Sequence, residues 1–191
     1  GHRTMAEDLH SPSDTSYGIW LYSYDLAGNL KNYQNPNGNS ISYTYDNINR
    51  VLSEDSNSTI GIDTVYTYDF CANGVGYFCR VVTAGVNDTY EYSKDGKVKK
   101  EIRTIGTSNF NTDYLLDYQG NVLEIRNPDN SFTRYTYNNA SKIDKIDYKK
   151  DTLSMWSPIV LNIDYGATGQ VVKKVYLNGI TTSYDFDDNN L

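Results

Sequence analysis

Tyr22-Ser23-Tyr24-Asp25-Leu26-Ala27-Gly28-Asn29-Leu30 is the stretch that decides the fold, because looser copies of it recur along nearly the whole chain. The copies are Tyr43-Thr44-Tyr45-Asp46, Tyr66-Thr67-Tyr68-Asp69, Tyr90-Glu91-Tyr92-Ser93-Lys94-Asp95-Gly96-Lys97-Val98, Tyr114-Leu115-Leu116-Asp117-Tyr118-Gln119-Gly120-Asn121-Val122, Tyr135-Thr136-Tyr137-Asn138, Ile163-Asp164-Tyr165-Gly166-Ala167-Thr168-Gly169-Gln170-Val171 and Tyr184-Asp185-Phe186-Asp187. Their third positions, 24, 45, 68, 92, 116, 137, 165 and 186, are separated by 21, 23, 24, 24, 21, 28 and 21 residues. A period near this length marks a repeat architecture.

One copy can be read from elementary stereochemistry. The two rings of Tyr-x-Tyr lie on one face of a strand, since strand side chains alternate and aromatic residues favour half-buried pleated surfaces. Asp25 to Gly28 then fits a type I turn: Asp at the first position accepts nearby backbone amides, and Gly at the fourth adopts positive φ as a bulge residue. Leu30 resumes the strand. Second turns follow at Asn35-Pro36-Asn37-Gly38 and Asn127-Pro128-Asp129-Asn130, and Asn178-Gly179 carries the signal of a two-residue hairpin.

Two strands and two turns per copy predict an all-β chain, a curved antiparallel meander of repeated hairpins without helices. The tyrosines of successive copies, Tyr22, Tyr24, Tyr43, Tyr45, Tyr66, Tyr68, Tyr90, Tyr92, Tyr114, Tyr135, Tyr137, Tyr165 and Tyr184, are expected to stack as a ladder. Each cross-strand aromatic pair adds roughly 0.2 to 1 kcal/mol. Asp25, Gly28, Gly96, Asp117, Gly120 and Gly169 are the expected turn residues. Ser93, Asn138 and Gly166 stand where other copies have Asp, and Leu116 where others have the second Tyr, which predicts weaker or specialised turns and rungs there.

The phrase Tyr-x-Tyr-Asp-x-x-Gly-x-Leu resembles the YD repeat of the Rhs family, shared by bacterial Rhs polymorphic toxins, shell components of insecticidal toxin complexes, wall-associated bacterial proteins and animal teneurins. The resemblance runs from about residue 17 to 191, over about eight repeats with the last incomplete. It implies a β-strip that spirals into a hollow shell, in many members around a toxic C-terminal segment, so the repeats are scaffolding and the chain is not an enzyme. The implied partners are the remaining repeats and C-terminal effector of a longer parent protein, exported to the surface or medium by a bacterium. Rhs cores often carry a self-cleaving segment that begins Asp-Pro, and this chain has none, only Asn127-Pro128. The last copy stops at Leu191 before a returning strand can form, which reads as an excised fragment with an exposed sheet edge open to self-association.

Residues 1 to 16 show no alternation and hold both histidines, His2 and His10; they read as an expression scar or linker ahead of the repeats at 17 to 191. The third copy is lengthened through Phe70-Cys71-Ala72-Asn73-Gly74-Val75-Gly76-Tyr77-Phe78-Cys79. A turn there brings Cys71 and Cys79, the only cysteines, opposite each other, which favours a disulfide over two free thiols. Closing so short a loop contributes about 2 to 3 kcal/mol, and the bond suits an exported protein. Zinc needs more ligands than two thiols, and no other cofactor is called for.

Composition is that of an ordered β protein: 38% hydrophobic residues, 14 glycines and 19 tyrosines. A net charge of -7 argues against nucleic acid. The runs Lys97, Lys99, Lys100 and Arg103, then Lys142, Lys145, Lys149 and Lys150, then Lys173 and Lys174 read as solvated strand faces; a basic stripe for acidic polysaccharide is the sharper alternative. No apolar run is long enough for a membrane helix. The repeats lack histidine, so Ser-His and Cys-His schemes have no base, and the carboxylates sit where turns want Asp. Asn57, Asn87 and Asn139 begin Asn-x-Ser/Thr acceptors and read as turn and loop residues. Two functional classes result: a structural module of a toxin-enclosing or effector-displaying β-shell, and a module whose Tyr-rich face binds glycans or a cell-surface protein.

Overall fold

The computed structural model describes residues 1–8, 13 and 18–186. It contains β1 (Met5–Glu7), β2 (Ile19–Tyr24), β3 (Leu30–Gln34), β4 (Ser40–Tyr45), β5 (Val51–Ser56), β6 (Thr64–Tyr68), β7 (Phe78–Thr83) and β8 (Val86–Tyr92). These are followed by β9 (Val98–Ile105), β10 (Ser108–Leu116), β11 (Val122–Arg126), β12 (Phe132–Tyr137), β13 (Ile143–Lys149), β14 (Ser157–Tyr165), β15 (Val171–Tyr176) and β16 (Thr181–Ser183). Sheet order is chain order throughout, so the fold is an all-β meander, and no helix occurs among the described residues. The end of the final copy, Asp187 to Leu191, lies outside the described residues, as do His10 and Tyr17.

The Asp-x-x-Gly phrase folds as its chemistry demands. Asp25 N–H donates to the Asn29 carbonyl at 2.9 Å and Gly28 N–H to the Asp25 carbonyl at 3.1 Å, with Gly28 at φ 88°. The register shifts by one residue just before the second aromatic in six copies, at Tyr24, Tyr45, Tyr68, Leu116, Tyr137 and Tyr165. The turns led by Asp25, Asp46, Asp117, Asn138 and Gly166 are therefore type I turns with a bulge, while the one led by Asp69 is lengthened. In β4 the alternation is plain: Tyr43 and Tyr45 are half-buried, while Ser42 and Thr44 are exposed.

Three expectations change. The turns led by Ser93, Asn138 and Gly166 keep the same pair of backbone bonds as those led by Asp; Ser93 Oγ and Asn138 Oδ1 accept amides as an Asp carboxylate would, while Gly166 contributes only its backbone bonds. Asn178-Gly179 does not form a two-residue hairpin. Tyr176 N–H reaches the Ile180 carbonyl and Gly179 N–H the Tyr176 carbonyl, which makes a three-residue loop with only Gly179 at positive φ. A two-residue type I′ turn needs positive φ at both central residues, and the flanking strands here already have the bulged spacing. Lastly, Met5–Glu7 in the leader is a strand antiparallel to β2.

The chain divides into two compact units, Gly1–Tyr90 with Arg103–Ser108, and Glu91–Ile102 with Asn109–Leu191. In the first, Cys79 is fully buried beneath the lengthened turn. In the second, Tyr92, Phe132, Val160 and Ile163 are buried, with Asp147 beside them. A single sheet covers few side chains completely, so most ladder residues are half-buried and hydrogen bonding takes a larger share of the stabilisation. Among the described residues no buried side-chain nitrogen or oxygen lacks a partner.

Candidate functional site

The most organised chemistry is the contact each copy makes with the next. The second tyrosine of a copy donates its hydroxyl to a backbone carbonyl at the start of the preceding copy's return strand: Tyr45 to Leu30 at 2.7 Å, Tyr68 to Val51 at 2.9 Å, Tyr137 to Val122 at 2.8 Å and Tyr165 to Ile143 at 2.6 Å. Tyr24 does the same to the Arg3 carbonyl at 2.9 Å. In these four copies the acceptor lies six residues beyond the preceding copy's second aromatic position. The ladder thus has hydroxyl-to-carbonyl rungs, which the sequence reading missed in expecting ring stacking. Burial raises the phenol pKa of Tyr45, Tyr68, Tyr137 and Tyr165, so each remains a donor.

Three of the first tyrosines, Tyr43, Tyr66 and Tyr114, meet acidic partners instead. Tyr66 donates to Glu54 Oε1 at 2.9 Å and Tyr114 to Glu101 Oε1 at 3.3 Å. Tyr43 faces Glu54 across β4 and β5. Burial and then the Glu54 bond push Tyr66 up to about 12; burial and Glu54 also raise Tyr43. Tyr22 faces Tyr33, Tyr135 lies beside Tyr137 in a shallow apolar cleft, and Tyr184 is covered by Lys174 Nζ, 5.8 Å from its ring centre. Ring-on-ring contact gathers at Phe78, which touches Tyr66, Tyr68 and Tyr90 at 6.0, 5.6 and 5.5 Å between centres.

Cations cover two of these rungs, at Tyr68 and Tyr165, and cross neighbouring turns and rings elsewhere. Arg50 lies 4.3 Å from the centre of the Tyr68 ring, donates from Nε to Asp46 at 2.6 Å and forks onto Asp69 at 3.1 and 2.6 Å. Lys142 sits 5.0 Å from the Tyr165 ring centre and crosses Gly169; Lys97 crosses Gly120, where a Cβ would come within 2.8 Å of the lysine stem. On β12 to β14, Arg134 stacks on Trp156 at 4.3 Å while bonding buried Asp147 at 2.9 Å, and Lys149 covers Phe132 and Trp156 at 4.2 and 4.7 Å. These basic residues therefore join repeats, a use invisible to a reading of them as solvated faces.

The turn carboxylates are held ionised. Asn29 and Asn121 side chains lower the pKa values of Asp25 and Asp117, and the Arg50 amide and guanidinium lower that of Asp46. Asp69, paired with Arg50 and accepting Gly76 N–H at 2.7 Å, falls to about 2. Its turn is the lengthened one: Asp69 N–H bonds the Tyr77 carbonyl, and Cys71 and Cys79 are joined inside it. A Cβ on Gly74 would collide with both sulfurs, so only glycine fits against the disulfide. No group of three or more His, Cys, Asp and Glu residues is arranged to hold a metal among the described residues.

The RHS Repeat family model matches residues 24 to 60. No curated protein matches the chain. Among solved structures, the crystal structure of TcdB2-TccC3 aligns at 15% identity and a TM-score of 0.80, over 91% of this chain and 10% of that one. TcdB2-TccC3-Cdc42 aligns at 15% identity and 0.78, over 89% and 10%. The Photorhabdus luminescens Tc holotoxin pore aligns at 15% identity and 0.75, over 89% and 9%. At such identity the likeness is one of fold, and this chain spans about a tenth of the length of those it matches. Residues 24 to 60 thus match the RHS repeat model, and the chain shares the all-β fold of the solved TcdB2-TccC3 structures.

Proposed function

We propose that this segment is part of the wall of a secreted or surface Rhs-type β-shell, and that the wall encloses or displays an effector region carried elsewhere in a longer bacterial protein. The observation that carries the reading is the rung itself. The second tyrosines Tyr45, Tyr68, Tyr137 and Tyr165 spend their hydroxyls on the backbone of the preceding copy, and the rings of Tyr68 and Tyr165 lie under cations of the same strip. Side chains used in this way build a wall; they are poorly placed to stack on a sugar, which disfavours the glycan-binding alternative for these positions. The Cys71–Cys79 bond supports an oxidising, exported setting. In this reading the segment itself turns over no substrate.

Proteolysis of the longer protein that carries this segment tests the proposal. Its effector region is expected to survive protease while the wall is folded and to be cut once the rungs are removed by Tyr137→Phe with Tyr165→Phe. If the effector region is cut equally fast before and after those substitutions, the enclosing role is wrong.

A further inference from the structure

The leader reproduces the returning half of a repeat, residue for residue. The Arg3 carbonyl accepts Tyr24 as the Leu30, Val51 and Val122 carbonyls accept Tyr45, Tyr68 and Tyr137. Register agrees as well. In β1 with β2, Met5 faces Leu21; in the repeats Asn32 faces Ser42, Ser53 faces Val65 and Glu124 faces Arg134. In all four pairs the residue two beyond the acceptor carbonyl opposes the residue three before the donating tyrosine. His2 completes the match: it stacks on Tyr24 at 4.6 Å and lies over Gly28, in the place taken by Arg50 on Tyr68 and by Lys142 over Tyr165 and Gly169.

We infer that residues 1 to 7 are the return strand of a repeat and that the outer edge of β1, from Arg3 to Ala6, is an acceptor for one kind of partner, a Tyr-x-Tyr-Asp strand. The repeats fix how it docks. Tyr22, Tyr43 and Tyr114 face Tyr33, Glu54 and Ile125, the positions equivalent to Ala6. Tyr24, Tyr45 and Leu116 face Leu30, Val51 and Val122, the positions equivalent to Arg3. Asp25, Asp46 and Asp117 N–H donate at 2.9 Å to the carbonyls of Asn29, Arg50 and Asn121, the positions equivalent to His2. The incoming strand therefore sets its first tyrosine opposite Ala6, its second opposite Arg3, and its Asp amide on the His2 carbonyl. This is strand addition to a sheet edge, with backbone bonds supplying affinity and the alternate tyrosines supplying register. The inference rests on the leader geometry alone and is independent of any enclosing role.

The test fuses Ile-Trp-Leu-Tyr-Ser-Tyr-Asp-Leu-Ala, a copy of residues 19 to 27, directly ahead of Gly1 in the full chain. Amide hydrogen exchange is compared with an extension of the same residues in scrambled order, using the amides of β2 as an internal reference for folding. The native order is expected to slow exchange across Arg3 to Ala6 about tenfold or more, with no effect from the scrambled order. Equal slowing by both extensions, or none by either, overturns the inference. Loss of protection in β2 of the fused chain, with no slowing when the free nonapeptide is added to the unmodified chain, counts equally against it.

Discussion

Two junctions between repeats, one in each unit, differ in almost every side chain and hardly at all in backbone. At the junction of Arg50 with Tyr68 and Asp69, a hydroxyl bonds the preceding strand, a guanidinium covers the ring, and a carboxylate closes an ion pair. At the Leu116 and Asp117 turn, the second aromatic is replaced by leucine, which has no hydroxyl to give, and Lys97 simply lies along Gly120. Yet the bulge before Leu116 matches those before Tyr45 and Tyr68, and the Asp117 to Asn121 turn bonds match those of the Asp46 to Arg50 turn. The turn and its bulge define the repeat, while the rung sets how firmly one repeat holds its neighbour.

The sharpest way to unbalance these junctions is at the disulfide, which only the first one has beside it. Reduction, or Cys71→Ser with Cys79→Ser, is expected to lower unfolding stability by about 2 to 3 kcal/mol and to loosen residues 69 to 78. Chemical denaturation with and without reductant measures it. Removing a rung should matter less: Tyr68→Phe leaves the Val51 carbonyl without its partner and is expected to cost about 1 to 2 kcal/mol. The reciprocal Leu116→Tyr supplies a missing hydroxyl and should gain about 0.5 to 1 kcal/mol in the same assay, narrowing the difference.

Acid offers a third test, confined to the turn carboxylates. Asp69, Asp46, Asp25 and Asp117 all titrate below their ordinary value of 3.8, so the folded state binds fewer protons than the unfolded state. The stability they contribute is present above about pH 4 and disappears as pH falls toward the Asp69 value of about 2. Melting temperature followed from pH 6 to pH 2 should drop through that window, and Arg50→Gln should flatten the drop by releasing Asp69 and Asp46. The smallest effect is expected from Ser93→Asp, which restores the usual turn residue where serine already accepts the Lys97 amide; a shift within about 0.5 kcal/mol is predicted.

The parts of this structure that follow from near neighbours along the chain were legible in the sequence. Tyr-x-Tyr set the covered face, Asp25 to Gly28 and Asn127 to Asn130 set their turns, and Cys71 and Cys79 were placed opposite each other by the loop between them. The rungs escaped because their acceptors are backbone carbonyls, a group every residue has, at a distance of 15 to 22 residues. The lysines escaped for a related reason, since what they cover, Gly120 or the Tyr165 ring, is brought to them only by register. Asn178-Gly179 misled because a short-range hairpin signal gave way to the bulged spacing of the strands around it. Thr4-Met5-Ala6-Glu7 has no alternating pattern at all, and its strand exists because Tyr22 and Tyr24 provide both an edge and a hydroxyl to meet it.

A fastener that grips only main chain has a consequence for how such an array can change. A tyrosine hydroxyl bonded to the carbonyl of Leu30, Val51, Val122 or Ile143 does not register which of those residues it has met. A copy can therefore be duplicated, deleted or transplanted from a distant array and still seat on its new neighbour, provided the six-residue offset from second aromatic to acceptor is preserved. Drift in the side chains costs little fit, whereas residues inserted between aspartate and return strand change the offset to the acceptor, and in the lengthened turn after Asp69 a disulfide closes the loop instead.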